Sequence, residues 1–284
     1  MSVNCFKKLH QFLLVLLMCF LIVRVSYAQD ADEAKALVKK GSQLIADKKY
    51  AEAIDTLNKA LKVDSGNVHA DYQLAVALNN LNKSADAISH LQKVIKANTN
   101  LNEAAYDLLG FTYFKNKQYA EAEQCAVEVL KINPKQAGTV RMYALVSFHQ
   151  NKRAQALLAF CSFILLEQQT ARSTEAFGNI QHILAGGTLK AEPGVIIKPL
   201  NADQLALNNV ITKVVNENRA KKYASPADLL EAQLKGIFIE IGTLAAKQNG
   251  NDFFNMNFAN FFYKLAGSED MHAFTQKIAS IKTR

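Results

Sequence analysis

Tryptophan is absent from this chain, and cysteine and proline are scarce, with four of each among 284 residues. Cys5 and Cys19 lie in the first 28 residues, which leaves only Cys125 and Cys161 beyond them. Two readings of that pair stay open: two small buried apolar residues, or one bridge favoured by an oxidising destination. Packed helices keep their axes ~8–10 Å apart and a disulfide needs Cα atoms within ~7 Å, which favours the first. Catalytic signatures are missing as well. His69, His90, His149, His182 and His272 are scattered, with no HExxH pair and no cysteine at ligand spacing. There is no GxSxG, no phosphate-cradling glycine loop and no paired-cysteine motif. No enzyme activity, metal or cofactor is therefore expected. The one alternative of that class is an unrecognised active site in the C-terminal third.

Long hydrophobic runs are missing too. The longest candidate, Phe12–Val23, has 12 residues, short of the ~20 that span a bilayer. Lys7 and Lys8 precede it, and Ser26-Tyr27-Ala28 follow with small residues around a cleavage point. This is the layout of a secretory signal over residues 1–28, with an uncleaved anchor as the alternative. Met18 before Cys19 argues against lipidation, since that signal wants a small residue there. The expected destination is outside the cytoplasm, periplasmic or secreted, with no stable membrane insertion after cleavage. The formal charge of the whole chain is +8 from 33 basic and 25 acidic residues. Removing Lys7, Lys8 and Arg24 leaves 30 against 25, a net +5. Arg219-Ala220-Lys221-Lys222 is the densest basic run, better read as a solvated helix end than as a nucleic-acid site.

What the chain does have is a period. Gly41, Ala75, Gly110, Ala144 and Gly178 recur at intervals of 34, 35, 34 and 34 residues. Ala53, Ala87, Ala122 and Ala156 keep the same phase, and so do Leu61, Ile95, Leu130 and Ile164. A fixed period near 34 marks a stack of one supersecondary unit. Two helices per unit cross closely, so one position on each must be nearly free of side chain, such as Gly41 and Ala53. One unit cannot bury its own face, so neighbours must stack.

The third repeat is the fullest copy, with Leu109-Gly110, Tyr113, Tyr119, Glu121-Ala122 and Pro134. The first carries Gly41, Tyr50, Glu52-Ala53, Leu57 and Ala60; the fourth carries Ala144, Ala156 and Phe160. On these residues the chain resembles the tetratricopeptide repeat family from Ala34 to about Thr170. With no tryptophan available, the family's early aromatic position is filled by Leu37, Asp71, Tyr106 and Val140. Phe177-Gly178 fall where a fifth repeat would begin, and Gly186-Gly187 then break the pattern, so Ser173–Leu184 is expected to cap the array. The resemblance implies an all-α, α-solenoid fold: four helical hairpins plus the capping helix over 34–184.

A connector over 185–200 follows, holding Pro193-Gly194, Pro199 and the short run Val195-Ile196-Ile197. It leaves room for one extended piece packed on the C-terminal helices. Residues 201–284 are expected to form a small helical bundle. Asn201 can cap a helix reaching about Asn218, and Ser225-Pro226 start another. That second helix carries Leu229, Leu230, Leu234, Ile237, Ile241 and Leu244 on one face and stops at Asn249-Gly250. Two more helices are expected over about Asp252–Leu265 and Ser268–Ile281. Phe254, Phe258, Phe261 and Phe262 share a helical face and are expected in the core. The alternative is an exposed docking or self-association stripe.

The resemblance also implies a concave wall lined by the first helix of each repeat, and a protein or peptide ligand held there. Stepping helical turns from the small-residue column places Tyr72, Val76, Asn79 and Asn80 on that face in repeat two. Repeat three contributes Asp107, Phe111 and Phe114, and repeat four Arg141 and Phe148. The aromatic residues would form pockets; the amides and the guanidinium would meet backbone or carboxylate. The alternative is that Phe111 and Phe148 pack against neighbouring helices. Part of the family grips C-terminal carboxylates with a Lys and an Asn in the first repeat. Val38 and Ser42 stand there, so that mode is not implied. The function expected is a scaffold or assembly factor outside the cytoplasm.

Overall fold

The computed structural model describes residues 30–189, 192–195, 197–249 and 252–281, together with His10, Leu13 and Met18. Apart from those three positions, the secretory segment expected over 1–28 lies outside the described residues. So do Ile196 of the connector and Gly250 of the expected helix stop. Helix is the regular structure of the described residues, with no strand among them. No helix among them is long and apolar enough to cross a membrane. The chain forms two compact units, Met1–Leu108 and Leu109–Arg284.

The first unit holds α1 (residues 30–46), α2 (Tyr50–Val63), α3 (Val68–Asn80) and α4 (Ser84–Lys96). It ends inside α5 (Asn102–Lys115). The small-residue column does the work its spacing predicts. A Cβ added at Gly41 would come within 2.6 Å of Leu57 Cδ2, so α1 and α2 cross with no room for a side chain. Ala53, Ala75 and Ala87 are fully buried beside Leu57, Leu74 and Leu91. Burying each such leucine stabilises the unit by roughly 1.5–3 kcal/mol.

The second unit continues with α6 (Tyr119–Ile132), α7 (Ala137–His149), α8 (Arg153–Leu166) and α9 (Ala171–Leu184). Gly110 faces Met142 and Cys125, with an added Cβ falling 2.8 and 3.0 Å from their side chains. Gly178 differs: an added Cβ there meets nothing within 4 Å. It occupies the column in α9, where no partner helix crosses it. Cys125 and Cys161 are buried and unbridged. Burial pushes both thiols up, Cys125 to about 12, so neither supplies a reactive thiolate.

A second column runs through the hairpin turns. Lys48, Asn82, Lys117 and Asn151 all have φ near +60°, one per repeat, in the phase of the glycines. Each sits in a Schellman turn that closes the first helix. Lys49 N–H donates to Leu44 C=O, Lys83 to Leu78, Gln118 to Tyr113 and Lys152 to Ser147, at 2.8–2.9 Å. The left-handed conformation suits asparagine and costs a lysine ~1–2 kcal/mol.

After α9 come α10 (Ala202–Arg219), α11 (Pro226–Asn249), a π-helical turn (Asn255–Ala259), α12 (Asn260–Ala266) and α13 (Asp270–Ala279). Asn201 caps α10 by accepting from Gln204 N–H at 2.8 Å, and the Ser225 hydroxyl accepts from Asp228 N–H at 3.1 Å at the start of α11. These helices share one apolar core with α7, α8 and α9. Phe253 and Phe258 lie 5.5 and 5.3 Å from the Tyr143 ring. The Asn208 amide of α10 accepts from Ala154 N–H at 3.1 Å and donates to Asn151 C=O at 2.7 Å. It thereby caps α8 and ties down the turn before it. Covered on several sides, α8 is buried from Ala154 to Cys161 without a break, which is why its sequence shows no polar stripe.

Of the four phenylalanines expected in the core, three lie there. Phe254, Phe258 and Phe262 are buried, whereas Phe261 is 49 % exposed. The cause is the π-helical turn. It takes up one extra residue, so the helix beyond it is rotated by about one position, ~100°. Phe262 comes into line with Phe254, and Phe261 turns outward.

Candidate functional site

The first-helix faces of the two units carry the residues singled out by the repeat register. In the first unit Tyr72 is half-buried; burial raises its phenol pKa, and the Asp107 carboxylate adds to the shift. Val76 is half-buried and Asn79 is buried. Asn80 is exposed, and its side-chain amide donates to Val76 C=O at 2.9 Å. In the second unit Phe111 is 50 % exposed, with Lys115 Nζ 5.8 Å above its ring centroid. Arg141 is paired with Glu175 of α9 at 2.5 Å. Phe148 is buried against the Phe160 and His182 rings at 6.1 and 5.8 Å. It faces the interior between helices, the packing alternative for that position. Phe114 is half-buried, 5.7 Å from the Tyr119 ring and 5.8 Å from His149.

Phe114 belongs to a cluster that the register reaches only in part, through Phe114 and His149. The Schellman turn after α5 sets Lys117 and Tyr119 side by side, and the end of α7 brings His149 against them. The Tyr119 and His149 rings stack at 4.3 Å with 17° between their planes. All three polar ends converge on one carboxylate, that of Glu192 in the connector. The Tyr119 hydroxyl donates to Glu192 Oε1 at 2.6 Å. His149 Nδ1 lies 2.9 Å from the same oxygen, and Lys117 Nζ 2.6 Å from Oε2. The hydrogen bonds from Lys117 and then Tyr119 hold the Glu192 carboxyl below the usual carboxylate range. Burial, and then the carboxylate, push the Tyr119 phenol up. His149 is lowered by burial despite the opposing pull of Glu192.

Glu192 is delivered by a β-turn. Val195 N–H donates to Glu192 C=O at 3.1 Å, and Gly194 has φ +78°. Proline at the second place and a left-handed glycine at the third are the requirements of a type II turn. Val195 packs on the small cluster of Tyr119, Ala122 and Val146. The connector thus lies on repeats three and four here, rather than on the C-terminal helices. The turn borders a cleft of about 360 Å³ that Asn116, Glu121, Gln150 and Lys198 also line.

A larger cleft of about 950 Å³ opens among α9, α10, α11 and Ile281. Phe177, Leu184, Val215, Leu229 and Leu230 line it, and Arg219 is the single ionisable group among the described residues of its wall. No trio of metal-ligating side chains occurs among the described residues.

Stacked helical hairpins with exposed aromatic and charged residues on the first helices define a helical-repeat protein. Residues 44–110 match one tetratricopeptide repeat profile and residues 103–136 another, so the hairpins over 44–136 are tetratricopeptide repeats. Among solved structures it is similar to YrrB, described as a tetratricopeptide repeat protein with an unusual peptide-binding site. There the identity is 15 % and the TM-score 0.50, over 81 % of this chain and 93 % of the other. It is also similar to MamA of Desulfovibrio magneticus, at 18 % identity and TM-score 0.50, over 68 % of this chain and 98 % of the other. At these identities the likeness concerns the fold. The curated proteins include no match.

Proposed function

We propose that this protein is a scaffold or assembly factor that binds a peptide or protein partner on the first-helix faces of its repeats, outside the cytoplasm. Stacked helical repeats carry extended binding surfaces and owe their stability to neighbour contacts, which leaves exposed side chains free for recognition. The observation that carries the reading is Phe111. It is a half-exposed aromatic ring on α5, a residue type that binding surfaces enrich. Tyr72, half-buried on α3, and Arg141 on α7 offer further contacts of the same kind. The destination rests on the amino-terminal segment: Lys7 and Lys8, the apolar run Phe12–Val23 and the small residues at Ser26-Tyr27-Ala28.

The test is alanine replacement of Tyr72, Phe111 and Arg141 together, followed by partner capture from envelope extract. Phe148 is left intact, because truncating a buried phenylalanine costs ~3–5 kcal/mol of stability. The expected result is a tenfold or greater loss of the captured partner with an unchanged circular dichroism spectrum. Equal recovery by variant and wild type would overturn the reading.

A further inference from the structure

We infer that Lys117, Tyr119 and His149 form a carboxylate-binding site for an acidic peptide turn, and that Glu192 fills it in cis. The inference rests on the reading of the repeats as a peptide-binding surface and deepens it.

Three donors from two repeats converge on a single carboxylate: an ammonium 2.6 Å from Oε2, and a phenol at 2.6 Å and an imidazole nitrogen at 2.9 Å from Oε1. A carboxylate accepts on both oxygens, and this cluster serves both. Each donor sits at the end of a helix. Lys117 is the left-handed residue of a Schellman turn, Tyr119 opens α6, and His149 closes α7. The Tyr119–His149 stack and the Phe114 edge fix the two rings relative to each other. Next to the donors, Tyr119, Ala122 and Val146 form an apolar seat that takes Val195. The site therefore reads two features of a turn: an acidic side chain, and an apolar one three positions later.

The Lys117 arm of the site faces solvent. The Lys117 and Glu192 side chains are 48 % and 28 % exposed, and exposed ion pairs contribute little to stability. A tethered group competes at an effective concentration in the millimolar range, because its linker is short. Glu192 thus sets a threshold: a partner's acidic turn enters only if its own contacts exceed those of the tethered one. A mere structural brace would differ in one respect. Breaking it would loosen the connector without creating affinity for anything.

The probe is a fluorescent peptide with the chain's own sequence 188–198, TLKAEPGVIIK, titrated by anisotropy into the mature full-length protein. Glu192→Ala, which empties the carboxylate position, should bind it at least tenfold more tightly than wild type. Adding Lys117→Met to Glu192→Ala should abolish that gain, and thermal unfolding checks that both variants fold. Equal affinity for wild type and Glu192→Ala would overturn the inference, as would no saturable binding to Glu192→Ala or a gain that survives Lys117→Met. Loss of partner capture by the Tyr72, Phe111 and Arg141 variant would be untouched by any of these results, so the two readings fail separately.

Discussion

A methyl group is the difference between two glycines of one column. At Gly41 an added Cβ would run into the branch point of Leu57 at 2.6 Å, whereas at Gly178 it would meet nothing within 4 Å. Gly41→Ala should therefore destabilise the protein by about 1–3 kcal/mol through overpacking. Gly178→Ala should stabilise it by about 0.5–1 kcal/mol, since glycine inside a helix is the costlier residue. Urea denaturation of the two variants checks this; a shift of the same sign in both would contradict the crossing argument. The column itself was plain in the sequence. Its turn counterpart, Lys48, Asn82, Lys117 and Asn151, was not, because lysine carries no signal for a left-handed backbone. The Lys117–Glu192 pairing was equally hidden, since its partners are far apart in the chain. Only the local hint, Glu192-Pro193-Gly194-Val195 as a turn, stood in the sequence.

At the scale of the helix, the hairpins and the start signals at Asn201 and Ser225 were legible from periodicity and caps. The aromatic helix was legible only in part. A constant 100° per residue puts Phe254, Phe258, Phe261 and Phe262 on one face, and the π-helical turn Asn255–Ala259 breaks that assumption. Such a turn behaves as a one-residue insertion. Met256 is 63 % exposed within it. Deleting Met256 should convert the turn to α-helix while Phe262 stays inward. Cooperative unfolding should survive, with a stability change of about 1 kcal/mol, the centre of the range for single changes. A non-cooperative transition would show that the wide turn is required, for instance through the buried amide of Asn255, which donates to Ala245 C=O at 3.2 Å.

For the whole molecule, burial decides which residues of the repeat faces are available. The repeat register places Phe148 and Asn79 on the same repeat faces as Phe111 and Asn80, but both are buried. Sequence spacing identifies a helical face, and cannot say how far a neighbouring helix or the C-terminal core covers it. The exposed members carry the functional claim. A photo-reactive phenylalanine placed at 80 on α3 or 111 on α5, in cells, tests it whatever the partner's identity. Control positions are Gln124, exposed on the second helix of repeat three, and Phe261 on α12. The account predicts a discrete crosslinked product from positions 80 and 111 and none from 124 or 261. Products from 124 or 261 alone would contradict it.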